Sequence, residues 1–473
     1  MRPVYLVHLF LLVLAGTLAA SFKEPARTHI HVFFARFLRL DPTEAWRCTI
    51  HGLRRGQESS MDDSNTGHHR YTADALVNID MPPIASSRMH RLPPYLFGRI
   101  NALKMELRQK GVDVIDLGMG NPNDPTPKAV VDKLCEAVQD KRNQRYSVSA
   151  GIINLRREVA KFYKKHWRVT LDPEREIIAT LGSKEGFSHL CLATLGPGDV
   201  VLTPTPSFPI HIYGPVIAGA NVIGVSMNDG DEALLRNLTH MCKNLFPTPK
   251  ILILNFPHNP TTHTVELDFF KEIVRLAKQY GFYVIHDFAY GLTTFDDYSA
   301  PSFLEVKGAK DVGVETVTLS KGYNMAGWRI GFIVGNPDMI SVLASIKGYY
   351  DYGIFQAIQI ASVIALRQCE KEMREQAKIY ESRRDCLCDG LKRIGWAAEK
   401  PKASMFAWVP IPDPYRKMGS IEFAVQCLKK AEVAVAPGRG FGEDGEGYLR
   451  IALVENEQRL QQAVRQLKRA FPL

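Results

Sequence analysis

Residues 318–331 read TLSKGYNMAGWRIG, running from Thr318 to Gly331. Two hydroxyl residues, Thr318 and Ser320, come just before Lys321, and Arg329 follows eight residues after it. Val314, Thr316 and Val317 have the β-branched character of a strand, so Lys321 stands where a strand ends and a Gly-containing turn begins. An amine held there, partly desolvated and close to a cation, has a lowered pKa. It can then form a Schiff base with a carbonyl compound such as pyridoxal phosphate. The hydroxyls and Arg329 would donate charge-assisted hydrogen bonds to a phosphate dianion. By itself a Ser-Lys pair is an ordinary basic turn, so the rest of the chain decides what it means.

Working outward, Glu176 to Thr318 alternates β-rich apolar runs (IIATLG, VVLTPTP, NVIGVSM, ILILNF, FYVIHD, VETVTLS) with helical patterns. Apolar strands separated by amphipathic helices predict a mostly parallel sheet covered on both faces, with ligands beyond the carboxyl ends of its strands. Four short segments fall at such ends. LGSKEG turns from strand to helix, and the amides of Ser183 and Lys184 there would cradle an anion. Phe208, in TPSFPIH, reads alone as a core aromatic. NFPHNPT places Asn259 in a turn. VIHDFAY places Asp287 after an apolar strand, with Tyr290 just beyond; a lone aspartate there is usually a cap.

Taken in order, these segments resemble the fold type I, class I aminotransferases. The family's lysine segment runs S-x-S-K, a short spacer, then G-x-R-x-G, matched here by Thr318, Ser320, Lys321, Gly327, Arg329 and Gly331. The resemblance spans roughly residues 89–473. It implies an α/β fold with a mostly parallel central sheet in a large domain plus a smaller α/β domain. It also implies pyridoxal 5′-phosphate as cofactor and transfer of an amino group between an amino acid and a 2-oxo acid. Lys321 then takes the role of Schiff-base lysine and proton carrier. Ser183, Lys184, Thr318, Ser320 and Arg329 surround the phosphate, Phe208 stacks on the pyridine ring, and Asn259 and Tyr290 bond its ring oxygen. Asp287 pairs with the ring nitrogen. Tyr146 corresponds to a tyrosine that reaches the neighbouring subunit's phosphate, which implies a homodimer. Arg450, in GYLRIAL, matches the arginine that holds the substrate α-carboxylate, and Gly120 falls on the substrate side. One departure is Thr262, which stands where the family pattern N-P-T-G has glycine.

The RLPPYLF, PSFPIHIYG and SKGYNMAGWRIGF segments are similar to those of the bacterial alanine (glutamate–pyruvate) branch of the family, so alanine/pyruvate and glutamate/2-oxoglutarate are the expected substrate pairs. Dicarboxylate-specific relatives carry a second arginine about one helix beyond the lysine. The corresponding GYYDYGIFQAIQ, Gly348 to Gln359, has none. Lys184 is then the candidate cation for a distal carboxylate, because a flexible point charge can swing aside for alanine. A same-fold lyase, or another amino-acid specificity, would keep all these residues. A cofactor-binding regulator is disfavoured by the presence of both the proton carrier and the substrate arginine.

Composition agrees with a large globular enzyme. The 473 residues are 45% hydrophobic, enough for an extensive core and two or three domains. The net charge is +9, but residues 1–60 alone hold eight Lys or Arg against four acids. With no dense basic run interleaved with aromatics, nucleic acid is not an expected partner. The eight cysteines show neither metal-ligand spacing nor a disulfide framework, so buried reduced thiols and no metal are expected. Val4 to Ala20 is an apolar run behind Arg2, with the outline of a signal peptide. The absence of extracellular features later in the chain favours a cytoplasmic protein with no membrane partner, and leaves export or organelle targeting open. The expected organisation is an N-terminal extension without order over 1–88, either signal-like or lying upstream of the true start, an arm and part of the small domain over 89–125, the large domain over 126–365 and the small domain over 366–473. Helices are expected at Pro94–Lys110, Pro127–Arg142, Asn154–Trp167, Met339–Leu366 (interrupted at GYYDYG) and Glu370–Ile394, with a strand at Ala403–Pro410.

Overall fold

Twelve strands occur in the computed structural model, which describes residues 84–93 and 96–473. They are β1 (Ile115–Asp116), β2 (Ile177–Thr180), β3 (Val200–Thr205), β4 (Asn221–Ser226), β5 (Ile251–Leu254), β6 (Tyr283–Asp287), β7 (Gly313–Thr318), β8 (Gly331–Gly335), β9 (Phe406–Pro410), β10 (Val433–Ala434), β11 (Ala436–Pro437) and β12 (Tyr448–Ala452). Seven form one sheet in the order β2-β8-β7-β6-β5-β3-β4. Pairs β3/β4, β3/β5, β5/β6 and β6/β7 are parallel, whereas β8 runs antiparallel to both β7 and β2. The reversal has a local cause: β7 and β8 are joined by Leu319–Ile330 with no crossover helix, and a parallel return needs one.

Strands β2, β5, β7 and β8 are buried on both faces, as their apolar runs require, whereas the edge strand β4 is partly exposed. Within β5, Leu252 and Leu254 join one core and Ile251 and Ile253 the other, following the two-residue period of a strand. Truncating such a residue, for example Ile253→Ala, removes about 2–5 kcal/mol. A second layer is built from the antiparallel sheet β11-β12-β9 and the parallel pair β1-β10. It has its own core, in which Ile115 and Leu117 pack with Phe406, Leu449 and Ile451. Order within the chain thus brings residues 115–117 to the same core as residues 406–451.

Several expectations need correction. β8 was not anticipated, because GFIVG reads as the tail of the lysine segment. The first helix covers Leu96–Gln109, and the second ends at Gln139, with a separate 3-10 turn at Lys141–Gln144. The interrupted helix is two helices, Pro337–Tyr350 and Gln356–Gln368. The expected strand at Ala403 begins at Phe406, and Cys135 is exposed rather than buried. The signal-like run Val4–Ala20 and the rest of the extension to residue 83 lie outside the described residues. At its end, Ser87–Arg91 is already a 3-10 helix, tied down where Arg88 donates to the Ile217 carbonyl at 3.2 Å. Among the described residues no helix is long and apolar enough to cross a membrane.

Candidate active site

The carboxyl ends of β2, β3, β5, β6 and β7 converge on a cavity of about 740 Å³, closed from the other side by Gly120, Phe406, Phe441 and Arg450. All the site residues expected from the sequence line it except Tyr146. Tyr146 is 88% exposed and packs against Tyr352, with ring centroids 5.3 Å apart.

At one end the donors suit an anion. Ser183 opens the Ser183–Thr194 helix, whose N-cap Gly182 (φ 79°) provides no side-chain cap, so the first-turn amides need an outside acceptor. The Arg329 guanidinium crosses this turn so closely that a Cβ on Gly182 would lie 2.4 Å from Nη2. Arg329 donates to the Ala326 carbonyl at 3.0 Å and to the Leu181 carbonyl at 3.4 Å. The Thr318 and Ser320 hydroxyls lie 2.7 Å apart on the same wall. Arg329 itself has φ 52°, left-handed backbone that costs a side-chain-bearing residue about 1–2 kcal/mol and is common at functional sites.

At the other end Asp287 terminates β6. His211 Nε2 lies 2.9 Å from one carboxylate oxygen, and the Thr316 hydroxyl donates to the other at 3.1 Å. Asn255 donates to the Asp287 carbonyl at 2.6 Å, and its own side-chain oxygen accepts the Asn259 amide at 2.9 Å. One asparagine therefore fixes two site residues. Asn259 Nδ2 reaches the Tyr290 hydroxyl at 3.4 Å. Burial raises the Tyr290 phenol above its usual range, Asp287 adds to this, and Arg450 opposes it. Phe208 forms part of the wall, with the Lys184 ammonium 5.8 Å from its ring centroid.

Arg450 rises from β12 between two aromatic faces, 4.1 Å from the Phe406 centroid and 4.7 Å from that of Phe441. It donates to Asn259 Oδ1 at 2.8 Å and to the Gly118 carbonyl at 3.0 Å, which fixes the plane of its fork. Gly120 admits no side chain: a Cβ there would lie 2.5 Å from the Phe406 ring. The Gly120 carbonyl accepts a hydrogen bond from Lys321 Nζ at 2.9 Å. Lys321 is the focus of the cavity electrostatics. Desolvation first, then the charges of Arg450 and Arg329, push its pKa down to about 8, against the pull of Asp287. Near neutral pH this leaves more free amine than an ordinary lysine would have.

The family model for aminotransferase class I and II matches residues 112–467. The chain belongs to this family. It is 50% identical over 385 residues to the glutamate-pyruvate aminotransferase AlaC of Escherichia coli, an alignment covering 81% of this chain and 93% of the relative. It is 41% identical over 384 residues to an LL-diaminopimelate aminotransferase of Moorella thermoacetica, covering 81% and 97%. Among solved structures, a Thermus thermophilus aspartate aminotransferase mutant superposes with TM-score 0.76 at 27% identity, covering 83% of this chain and all of that one. The protein is therefore an aminotransferase with the fold type I architecture, and pyridoxal phosphate is characteristic of its family.

Sequence reasoning missed His211, Asn255, Thr316, Phe406 and Phe441. Of these, only His211 carried a usable signal, as a histidine one helical turn after Phe208 in an otherwise apolar segment.

Proposed function

We propose that this aminotransferase holds pyridoxal 5′-phosphate in the cavity and exchanges amino groups between alanine and 2-oxoglutarate, or glutamate and pyruvate. The observation that carries this is the position of Lys321: a buried amine near pKa 8, between an anion cradle and a carboxylate, and facing Arg450. The donor set fits the cofactor. Ser183, Lys184, Thr318, Ser320 and Arg329 would hold the phosphate, Phe208 the ring face, Asn259 and Tyr290 the ring oxygen, and Asp287 the ring nitrogen. When bound, the cofactor supplies an electron sink for the negative charge left at the substrate Cα.

The chain's own groups do the rest. Arg450, pinned by Asn259 and Gly118, grips the α-carboxylate with a planar fork and so orients the Cα–H bond toward Lys321. Lys321 Nζ, which donates to the Gly120 carbonyl at 2.9 Å, is placed to take the Cα proton as general base. His211 and Thr316 keep the Asp287 carboxylate aimed into the cavity. Phe406, Phe441 and Phe208 exclude water from the reacting carbon.

The lack of an arginine in Gly348–Gln359 and the 50% identity to AlaC support alanine as a substrate. A second reading is diaminopimelate. Arg108, Asp116 and Glu455 also line the cavity and would meet a distal carboxylate and ammonium together. A panel of amino donors and 2-oxo acids tests both. Alanine with 2-oxoglutarate should react fastest with ping-pong kinetics; faster turnover of LL-diaminopimelate would favour the second reading, and ammonia release without transfer would indicate a lyase.

A homodimer is part of the same proposal. Tyr146, Val148, Tyr349, Tyr350 and Tyr352 are all more than half exposed, and exposed large apolar side chains of this kind mark interfaces. Sedimentation should give a dimer at micromolar concentration, and a fully active monomer would refute it.

A further inference from the structure

Lys347, near the end of the Pro337–Tyr350 helix, is wholly buried. Its ammonium donates to Glu185 Oε1 at 3.1 Å and to both oxygens of Asp351, at 3.2 and 3.1 Å. The His189 ring faces the same carboxylates. Glu185, His189 and Asp351 offer donor atoms within 4.8 Å of one another, a set of the kind that gathers around a cation. Here Lys347 supplies that charge from within the chain.

Each partner of Lys347 leads to another part of the molecule. Glu185 sits in the first turn of the Ser183–Thr194 helix, and its second oxygen accepts the Leu181 amide at 2.7 Å. The Leu181 carbonyl accepts from Arg329. Glu185 therefore fixes the Leu181–Lys184 turn from below while Arg329 closes it from above. Asp351 accepts the Gly353 amide at 2.9 Å, and Gly353 is pressed so closely on Val148 that a Cβ there would lie 2.6 Å from the Val148 carbonyl oxygen.

We propose that Lys347 is a positioning residue for the phosphate end of the site, a tethered cation that keeps Glu185, and through it the Leu181–Lys184 turn, in the geometry that receives a dianion. The inference rests on the cofactor reading above. Without the lysine charge, two partly buried carboxylates, with the His189 ring beside them, face each other and repel, and Glu185 is pushed from its place under the turn that must bind a phosphate. Contacts to the ring and to Lys321 come from other strands and are untouched. Loss of the Lys347 charge therefore weakens binding of a phosphorylated ligand selectively.

The test is a spectroscopic titration of the cofactor-free enzyme with pyridoxal phosphate and, separately, with pyridoxal, which lacks the phosphate. Lys347→Gln should weaken pyridoxal phosphate by roughly tenfold or more and pyridoxal by less than about threefold, while Lys347→Arg, which keeps the charge, restores most of the difference. If Lys347→Gln does not fold, Glu185→Ala, which removes the acceptor of the Leu181 amide, carries the same comparison, with a loss confined to the phosphorylated ligand. Equal losses for both ligands, or none, would overturn the proposal. A wild-type protein that binds pyridoxal as tightly as its phosphate would instead sink the phosphate reading itself, which separates the two failures.

Discussion

His211 Nε2 stands 2.9 Å from Asp287 Oδ2, and on its other side Nδ1 lies 3.5 Å from the Ser207 hydroxyl. An imidazole held between β3's extension and the end of β6 fixes the carboxylate in direction. His211→Ala should leave the fold intact and lower kcat by on the order of 10- to 100-fold, as loss of an orienting partner does at other polar sites. Asp287→Ala should cost on the order of 1,000-fold, because the charge itself is removed. Steady-state kinetics on the two variants checks the ranking; a larger loss from His211→Ala than from Asp287→Ala would contradict it.

The lowered Lys321 pKa has a definite pH signature. In the cofactor-free protein the amine is free above about pH 8 and an ammonium below it, so reductive alkylation of Lys321 should rise with pH around a midpoint near 8. Desolvation is the largest cause and Arg450 the next. Arg450→Met removes a repelling charge and should move the midpoint up, whereas Asp287→Asn removes an attracting one and should move it down. Mass spectrometry of the labelled peptide reads the midpoint, and opposite signs would show that other groups set the pKa.

Thr262 stands at φ 62°, in left-handed backbone that disfavours a β-branched residue. Its amide donates to the His258 carbonyl at 2.9 Å and closes the turn that presents Asn259. Glycine at this position should relieve the strain and, after its extra unfolded-state entropy, stabilise by roughly 0.5–1 kcal/mol. Urea unfolding of Thr262→Gly tests this; a loss of stability would mean that the threonine side chain contributes contacts worth more than the strain.

Besides Lys321, Arg329 and Arg450, the cations lining the cavity are Lys184 and Arg108. Lys184→Ala should raise KM for glutamate and 2-oxoglutarate by roughly tenfold more than for alanine and pyruvate, the difference expected when one charge-assisted contact is lost. Equal effects on both pairs would confine Lys184 to the cofactor. A selective loss in Arg108→Ala would place the distal carboxylate beside Arg108 instead.

What was legible in the sequence was whatever is local. Ile251–Leu254 is apolar at every position because both faces of β5 are covered, and such a run can be read from four residues. Lys321 and Arg329 share one short segment, and Asp287 ends an apolar strand. The unread parts depend on pairings across long stretches of chain. His211 meets Asp287 across 76 residues, Arg450 meets Asn259 across 191, and Lys347 meets Glu185 across 162. In isolation each of those residues looks like a core histidine, a solvated arginine or a helix-surface lysine. β8 was missed for a related reason, since GFIVG becomes a strand only by pairing antiparallel with β7 and β2.

The central claim is that Lys321 carries the reactive amine. The most direct measurement is borohydride reduction of the protein loaded with pyridoxal phosphate, followed by peptide mapping of the trapped adduct. The adduct should fall on Lys321 alone, with Lys321→Ala losing both the adduct and transamination. An adduct on Lys184 or any other lysine, or transamination surviving in Lys321→Ala, would contradict it.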